Sequence, residues 1–182
     1  MSIKNILIIG AGWYGCHIGM YLKRLGHKIT IFEKNNDIFT GSSGYNQFRL
    51  HTGFHYPRSS DTIEETKKNY YRFKMEYKNF INFPKNNIYC IAKRKSLIDS
   101  KSYETLMRSH NLKFKKIKLP YIQNIEQAYN CNEGVILNKK LINFYKKNLK
   151  KNIYFNKSIK DINKYKNSYD FVIDCTNATM MN

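Results

Sequence analysis

The chain has 182 residues, enough for one domain with a real core and part of a second. A hydrophobic share of 42% excludes a disordered chain, and no stretch approaches the ~20 apolar residues of a membrane span. The formal charge of +19, from 32 Lys and Arg against 13 Asp and Glu, raises nucleic acid as a partner. The lysines are spread almost everywhere, however, with no Arg-rich arm and no zinc-ligand spacing, so solvated faces explain them better.

The first apolar run is Ile6, Leu7, Ile8 and Ile9, which reads as a buried parallel strand. It is entered almost at once, with no signal-peptide pattern ahead of it, so a cytoplasmic location is expected. A G-x-G-x-x-G turn follows at Gly10, Gly12 and Gly15, enclosing Trp13 and Tyr14. The first glycine makes the tight turn and the second lets a pyrophosphate approach the backbone. The third lets the next helix pack on the strand. That helix should carry Ile18, Tyr21, Leu22 and Leu25 as its apolar stripe and stop at Gly26. A second strand, residues 28–32, then delivers Glu33, about 20 residues past the turn, where a dinucleotide-binding unit needs an acceptor for a ribose hydroxyl. These features fit FAD or NAD equally.

Residues 41–58 mix small, polar, basic and aromatic side chains in a way that suits neither a helix nor an amphipathic strand. Binding chemistry favours such loops on a rigid scaffold. Arg49, His51, His55 and Tyr56 are the candidate cleft residues. Arg49 could clamp a carboxylate or form a structural ion pair. His51 and His55, four apart, could share a metal on a helix, but Gly53 and Pro57 oppose a helix and no H-E-x-x-H motif is present. No metal site is expected. Structural hydrogen bonding around a turn is the competing role for both histidines.

With these residues in view, the chain resembles the FAD-dependent oxidoreductases of the D-amino-acid oxidase superfamily. The resemblance rests on the glycine turn, on Glu33, and on Ser42, Ser43, Asn46, His51 and Gly53 in the stretch that runs beside the flavin in that family. Gln47, Phe48 and Arg49 replace the small residues common there. It implies an α/β Rossmann-like FAD-binding domain with a parallel central sheet, and part of an inserted α+β substrate domain. It also implies FAD as cofactor and oxidation of a small amine, amino acid or hydroxy acid by hydride transfer to flavin. A non-catalytic FAD- or NAD-binding module is the alternative, and a basic nucleic-acid-binding protein a more distant one.

Further along, residues 61–77 read as a helix capped by Asp61, with Ile63, Tyr70, Phe73 and Tyr77 as a buried stripe. Residues 87–92 form a strand candidate. Residues 101–110 look helical, with Tyr103 and Met107 facing a core, and residues 113–120 read as a lysine-protected edge strand. An apolar pattern resumes at residues 134–137. A helix over 138–150 should bury Leu141, Phe144, Tyr145 and Leu149, and a short strand, residues 153–155, should follow. Residues 169–174 read as a buried strand. By the resemblance, the turn after it, Thr176, Asn177 and Ala178, contacts FAD. Asn177 stands where glycine is usual, and asparagine tolerates a left-handed backbone.

The expected organisation is residues 1–80 as the first part of the FAD-binding domain, 81–132 as a partial substrate-domain segment, and 133–182 as the return to the FAD-binding domain. The resembled enzymes continue well beyond this length, so a truncated chain, or a C-terminal half on a separate chain, is expected. Cys16, Cys90, Cys131 and Cys175 are scattered with no C-x-x-C pair and are expected to be buried free thiols.

Overall fold

The computed structural model describes residues 2–177. In chain order the elements are β1 (Asn5–Ile9), α1 (Trp13–Arg24), β2 (Lys28–Phe32), β3 (Arg49–Leu50), α2 (Ser60–Glu76), β4 (Ile81–Asn82), β5 (Ile88–Ala92), α3 (Ser100–Ser109), β6 (Phe114–Ile117), β7 (Ile125–Cys131), β8 (Gly134–Ile136), α4 (Asn138–Leu149), β9 (Ile153–Tyr154) and β10 (Phe171–Asp174). Two compact units result: the residues through Gln47 together with those from Asn138 onward, and Phe48–Leu137 between them.

The first unit is an α/β layer structure on a four-stranded sheet, order β10-β1-β2-β9, with every pairing parallel. β1 is buried on both faces: Leu7 and Ile8 are fully enclosed, and Ile6 and Ile9 nearly so. A central parallel strand needs an unbroken apolar run for this reason. One face receives Ile159, Tyr165 and Tyr169 against Leu7 and Ile9. The other receives α1, and here the expected stripe is wrong. Tyr21 and Leu25 are exposed, while Gly15, Cys16 and Gly19 form the buried face. A Cβ on Gly19 would lie 2.8 Å from Ile31 Cδ1, so α1 sits on the sheet closer than large side chains allow. Gly26, at φ +87°, ends the region by donating its N–H to the Lys23 carbonyl. α4 buries Leu141, Tyr145 and Leu149 as expected, while Phe144, expected with them, is only half-buried. β10 differs from expectation: it pairs with β1 alone among the described residues, and Phe171 and Asp174 at its ends are exposed.

The second unit holds two antiparallel sheets, β3-β8-β4 and β5-β7-β6. Its core gathers Phe54, Ile63, Tyr103, Met107, Leu112 and Tyr129. Tyr103 and Met107 face this core as the sequence indicates, and β6 is an edge strand. The cap of α2 is Ser59, whose hydroxyl accepts the Thr62 N–H at 3.3 Å; Asp61 lies within the first turn instead. The unit boundaries fall at 47/48 and 137/138, away from the expected 80/81 and 132/133. The reason is local pairing. Arg49 and Leu50 pair with Val135 and Gly134, and Ile63 of α2 packs into the same core as Met107, so β3 and α2 fold with the middle of the chain. β3, β4 and β7 had no clear sequence signal; the first two have only two residues each. Of the thiols, Cys16 and Cys131 are buried, but Cys90 is exposed and Cys175 partly so.

Candidate functional site

The C-terminal ends of β1, β2 and β10 meet at the glycine turn. Gly10 has φ +99°, a backbone that L side chains rarely adopt, and a Cβ there would sit 2.9 Å from the Cys175 carbonyl oxygen. Its N–H donates to the Phe32 carbonyl at 2.7 Å, and the Ile9 carbonyl accepts from Cys175 N–H at 2.8 Å. Gly10 is therefore clasped by both neighbouring strands. A Cβ on Gly15 would collide with the Gly10 carbonyl oxygen. Gly12 is the N-cap of α1, and a Cβ there would approach Ser43 Oγ to 3.1 Å.

Ser43 explains how the small-residue stretch joins the turn. Residues Ser42–Gly44 form a short 3-10 helix, and Ser43 Oγ accepts the Trp13 N–H at 2.9 Å. Trp13 is half-buried against Phe39, with ring centroids 5.7 Å apart, while Tyr14 is exposed. Phe39, which the sequence did not single out, carries φ 60° and donates its N–H to the Ala11 carbonyl at 3.1 Å. Asn46 is exposed and donates to the Ser42 carbonyl at 3.2 Å.

Glu33 is buried, and both of its oxygens are engaged. Oε2 accepts the Ala11 N–H at 2.7 Å and Oε1 the Asn35 N–H at 3.0 Å. The acid thus ties the end of β2 to the glycine turn. Each carboxylate oxygen keeps acceptor capacity beyond one such bond. Thr176 donates its N–H to Asp174 Oδ1 at 2.8 Å, and Asn177 takes the left-handed conformation, φ 61°, that its residue type tolerates. Ala178 lies outside the described residues. The structure thus brings Gly10, Gly12, Gly15, Glu33, Ser43 and Thr176 to one end of one sheet. A helix N-terminus reached through the Cβ-free Gly10 and Gly12, with an acid beside it, suits the pyrophosphate and ribose of a dinucleotide.

The four cleft candidates all lie in the second unit. Residues 51–58 form successive turns with no helix, held by Gly53 at φ +128°; a Cβ there would meet Ile63 Cγ2 at 2.8 Å. His51 and His55 stack with ring centroids 4.8 Å apart, and Tyr56 meets both edge-on. Arg49 lies over the Tyr89 ring, 4.8 Å from its centroid. Behind His51 stands Glu133, fully buried. Its Oε1 accepts the Thr52 N–H at 2.6 Å and the Thr52 hydroxyl at 3.0 Å. Its Oε2 accepts the Tyr89 hydroxyl at 2.6 Å and lies 3.5 Å from His51 Nδ1. Burial pushes the Glu133 carboxyl upward, but the bonds from His51, Thr52 and Tyr89 outweigh it and hold the group below the ordinary carboxylate range. His55 is pushed below the usual imidazole value, first by burial and then by His51, with Arg49 adding to the fall and Glu133 opposing it.

Glu133 and Tyr89 carry no local motif that marks them as site residues. The sequence signal for Glu133 is weak, an isolated acid just before Gly134 in a chain poor in acids, and Tyr89 reads only as part of a strand.

The model of the family described as FAD dependent oxidoreductase matches residues 5–179. The FAD-dependent monooxygenase FPY4 of Fusarium mangiferae is 32% identical over 178 residues, 93% of this chain and 48% of its own length. The FAD-dependent monooxygenase kojA of Aspergillus flavus is 32% identical over 149 residues, 78% of this chain and 35% of its own. The chain therefore spans about half or less of the curated relatives it matches. Glycine oxidase from Bacillus cereus shares the fold at a TM-score of 0.64 and 18% identity, over 87% of this chain and 48% of that one. L-alpha-glycerophosphate oxidase from Mycoplasma pneumoniae, with FAD bound, does so at 0.62 and 17%, over 90% and 48%. On the family match across nearly its whole length, the chain belongs to the FAD-dependent oxidoreductases of the D-amino-acid oxidase superfamily, whose cofactor is FAD.

Proposed function

We propose that this chain carries the FAD-binding part of an oxidoreductase that dehydrogenates a small amine, amino acid or hydroxy acid. The observation that carries the reading is the glycine turn, where Gly10 and Gly15 leave no room for a Cβ and Glu33 and Ser43 close on the same backbone. The pyrophosphate would rest at the start of α1, along Gly12, Trp13, Tyr14 and Gly15, favoured by the helix dipole, with the Trp13 N–H given to Ser43 and the others facing the phosphates. Glu33 would accept from the adenosine ribose. Ser42, Ser43 and Asn46 would border the cofactor on one side, and Thr176 and Asn177 on the other.

Bound FAD supplies a two-electron acceptor, while the protein supplies position and electrostatics. Arg49 would hold a substrate carboxylate, and His51, His55 and Tyr56 would orient the substrate. The Phe48–Leu137 unit would then be the first part of a substrate domain. The remaining residues would come from further chain or a separate half, so no turnover is expected from these 182 residues alone. A second reading, monooxygenation, is favoured by the similarity to FPY4 and kojA, both FAD-dependent monooxygenases.

The purified protein is expected to show a bound-flavin absorbance spectrum, or to bind added FAD in calorimetry in preference to NAD. NAD binding without FAD binding in a folded sample overturns the reading. With a longer form that turns over, label from oxygen-18 gas in the product selects monooxygenation; oxidised product without label selects dehydrogenation.

A further inference from the structure

The Phe48–Leu137 unit contains a buried acid, Glu133, that faces one ring nitrogen of His51. Glu133 Oε2 accepts the Tyr89 hydroxyl at 2.6 Å, so the one phenolic proton lies on that bond. The Tyr89 oxygen, 3.3 Å from His51 Nδ1, therefore faces the ring as an acceptor. Glu133 Oε2, 3.5 Å from the same nitrogen, is an acceptor too. Nδ1 thus faces two acceptors and no donor, and a bare nitrogen lone pair there would be repelled by both. We infer that Glu133 and Tyr89 are positioning residues that hold His51 as its Nδ1–H tautomer and leave Nε2 as the ring atom that gains and loses a proton.

The surroundings agree from each side. Thr52, next in sequence, gives both its N–H and its hydroxyl to Glu133 Oε1, which fixes the carboxylate as an anion. Tyr89 comes from β5 and is itself covered by Arg49 of β3. His55 stacks on the His51 ring, and Tyr56 closes its edge. Among the described residues, the hydrogen bonds of His51 all run through Nδ1. Such an arrangement both orients an imidazole and supplies a counter-charge when its second nitrogen takes a proton. Its use rests on the oxidoreductase reading: removing a hydride beside nitrogen or oxygen leaves a proton from that atom to be accommodated.

Long-range nitrogen-15 NMR of the histidine rings in the 182-residue chain tests this directly. His51 is expected to be predominantly Nδ1–H when neutral. In a folded Glu133→Gln variant that preference should be lost; Glu133→Asp should restore part of it. A wild-type His51 that is predominantly Nε2–H overturns the proposal without any variant, as does an unchanged tautomer in folded Glu133→Gln. The readout needs no cofactor. Failure to bind FAD with the Nδ1–H form present would sink the functional reading and leave this one standing.

Discussion

The two units solve the same problem, a buried glutamate, in opposite ways. Glu33 is satisfied by backbone N–H groups of Ala11 and Asn35, which belong to its own strand end and the adjoining turn. Glu133 is satisfied largely by side chains, Tyr89, His51 and Thr52, drawn from well-separated parts of the chain. The first site is written in glycines and tolerates no added Cβ at its centre. The second is written in side chains, and losing the acid at its centre leaves the Thr52 and Tyr89 donors without their acceptor.

Four changes would break or sharpen that contrast. The largest effect should come from Gly15→Ala, because the new Cβ meets backbone, the Gly10 carbonyl, which cannot step aside. A loss of about 3 kcal/mol or more is expected in denaturant unfolding, together with loss of FAD binding. Gly41→Ala is the control, since a Cβ there meets nothing within 4 Å. An unaffected Gly15→Ala would end the backbone account of the turn.

Glu133→Ala should follow closely, at about 3 kcal/mol, since the Thr52 donors and the Tyr89 hydroxyl lose their acceptor inside the protein. A cost below about 0.5 kcal/mol, the usual range of a surface substitution, would show that the network is not holding the unit together.

Glu33→Ala should lower stability, because the Ala11 and Asn35 N–H groups lose their acceptor, and should weaken cofactor binding as well. Losing a charged acceptor is worth roughly 1.5–3 kcal/mol, so FAD affinity measured by calorimetry should fall about tenfold or more. An unchanged dissociation constant in a folded variant removes Glu33 from the site.

Mild acidification should give the smallest effect. The depressed His55 value means that the unfolded chain takes up a proton before the folded one. Its contribution is complete above the ordinary imidazole value of 6.5 and is lost as pH falls through the folded value. Glu133, also depressed, adds its loss only below the ordinary carboxylate range. Unfolding midpoints should therefore decline gently from pH 7 to pH 5 and more steeply below. A midpoint that rises on acidification contradicts both directions.

The difference between the units also governs what could be read in the sequence. β1, the glycine turn, β2 and Glu33 follow one another within a few dozen residues, and each obeys a local rule, so their meeting was legible. So were the α4 stripe and the burial of Tyr103 and Met107. The α1 stripe misled because helical spacing of large residues says nothing when glycines set the contact distance. β3 and β4, two residues long, carry no periodicity to detect. Glu133 was invisible for a different reason: its partner His51 lies 82 positions away, and nothing local in either segment encodes the pairing.

The placement of the cysteines has a practical consequence. Each unit hides one thiol: Cys16 on the buried face of α1, and Cys131 in the core of the Phe48–Leu137 unit. Burial, with Glu33 and Cys175 adding, pushes the Cys16 thiol far above its usual range. Burial, with Glu133 adding, raises Cys131 to about 12. Alkylation requires the thiolate, so neither reacts at a useful rate from the closed state, whereas exposed Cys90 labels first. Pulsed alkylation followed by peptide mass spectrometry therefore reads two opening rates from the natural sequence, one per unit. It shows whether the units breathe as one cooperative block or as two.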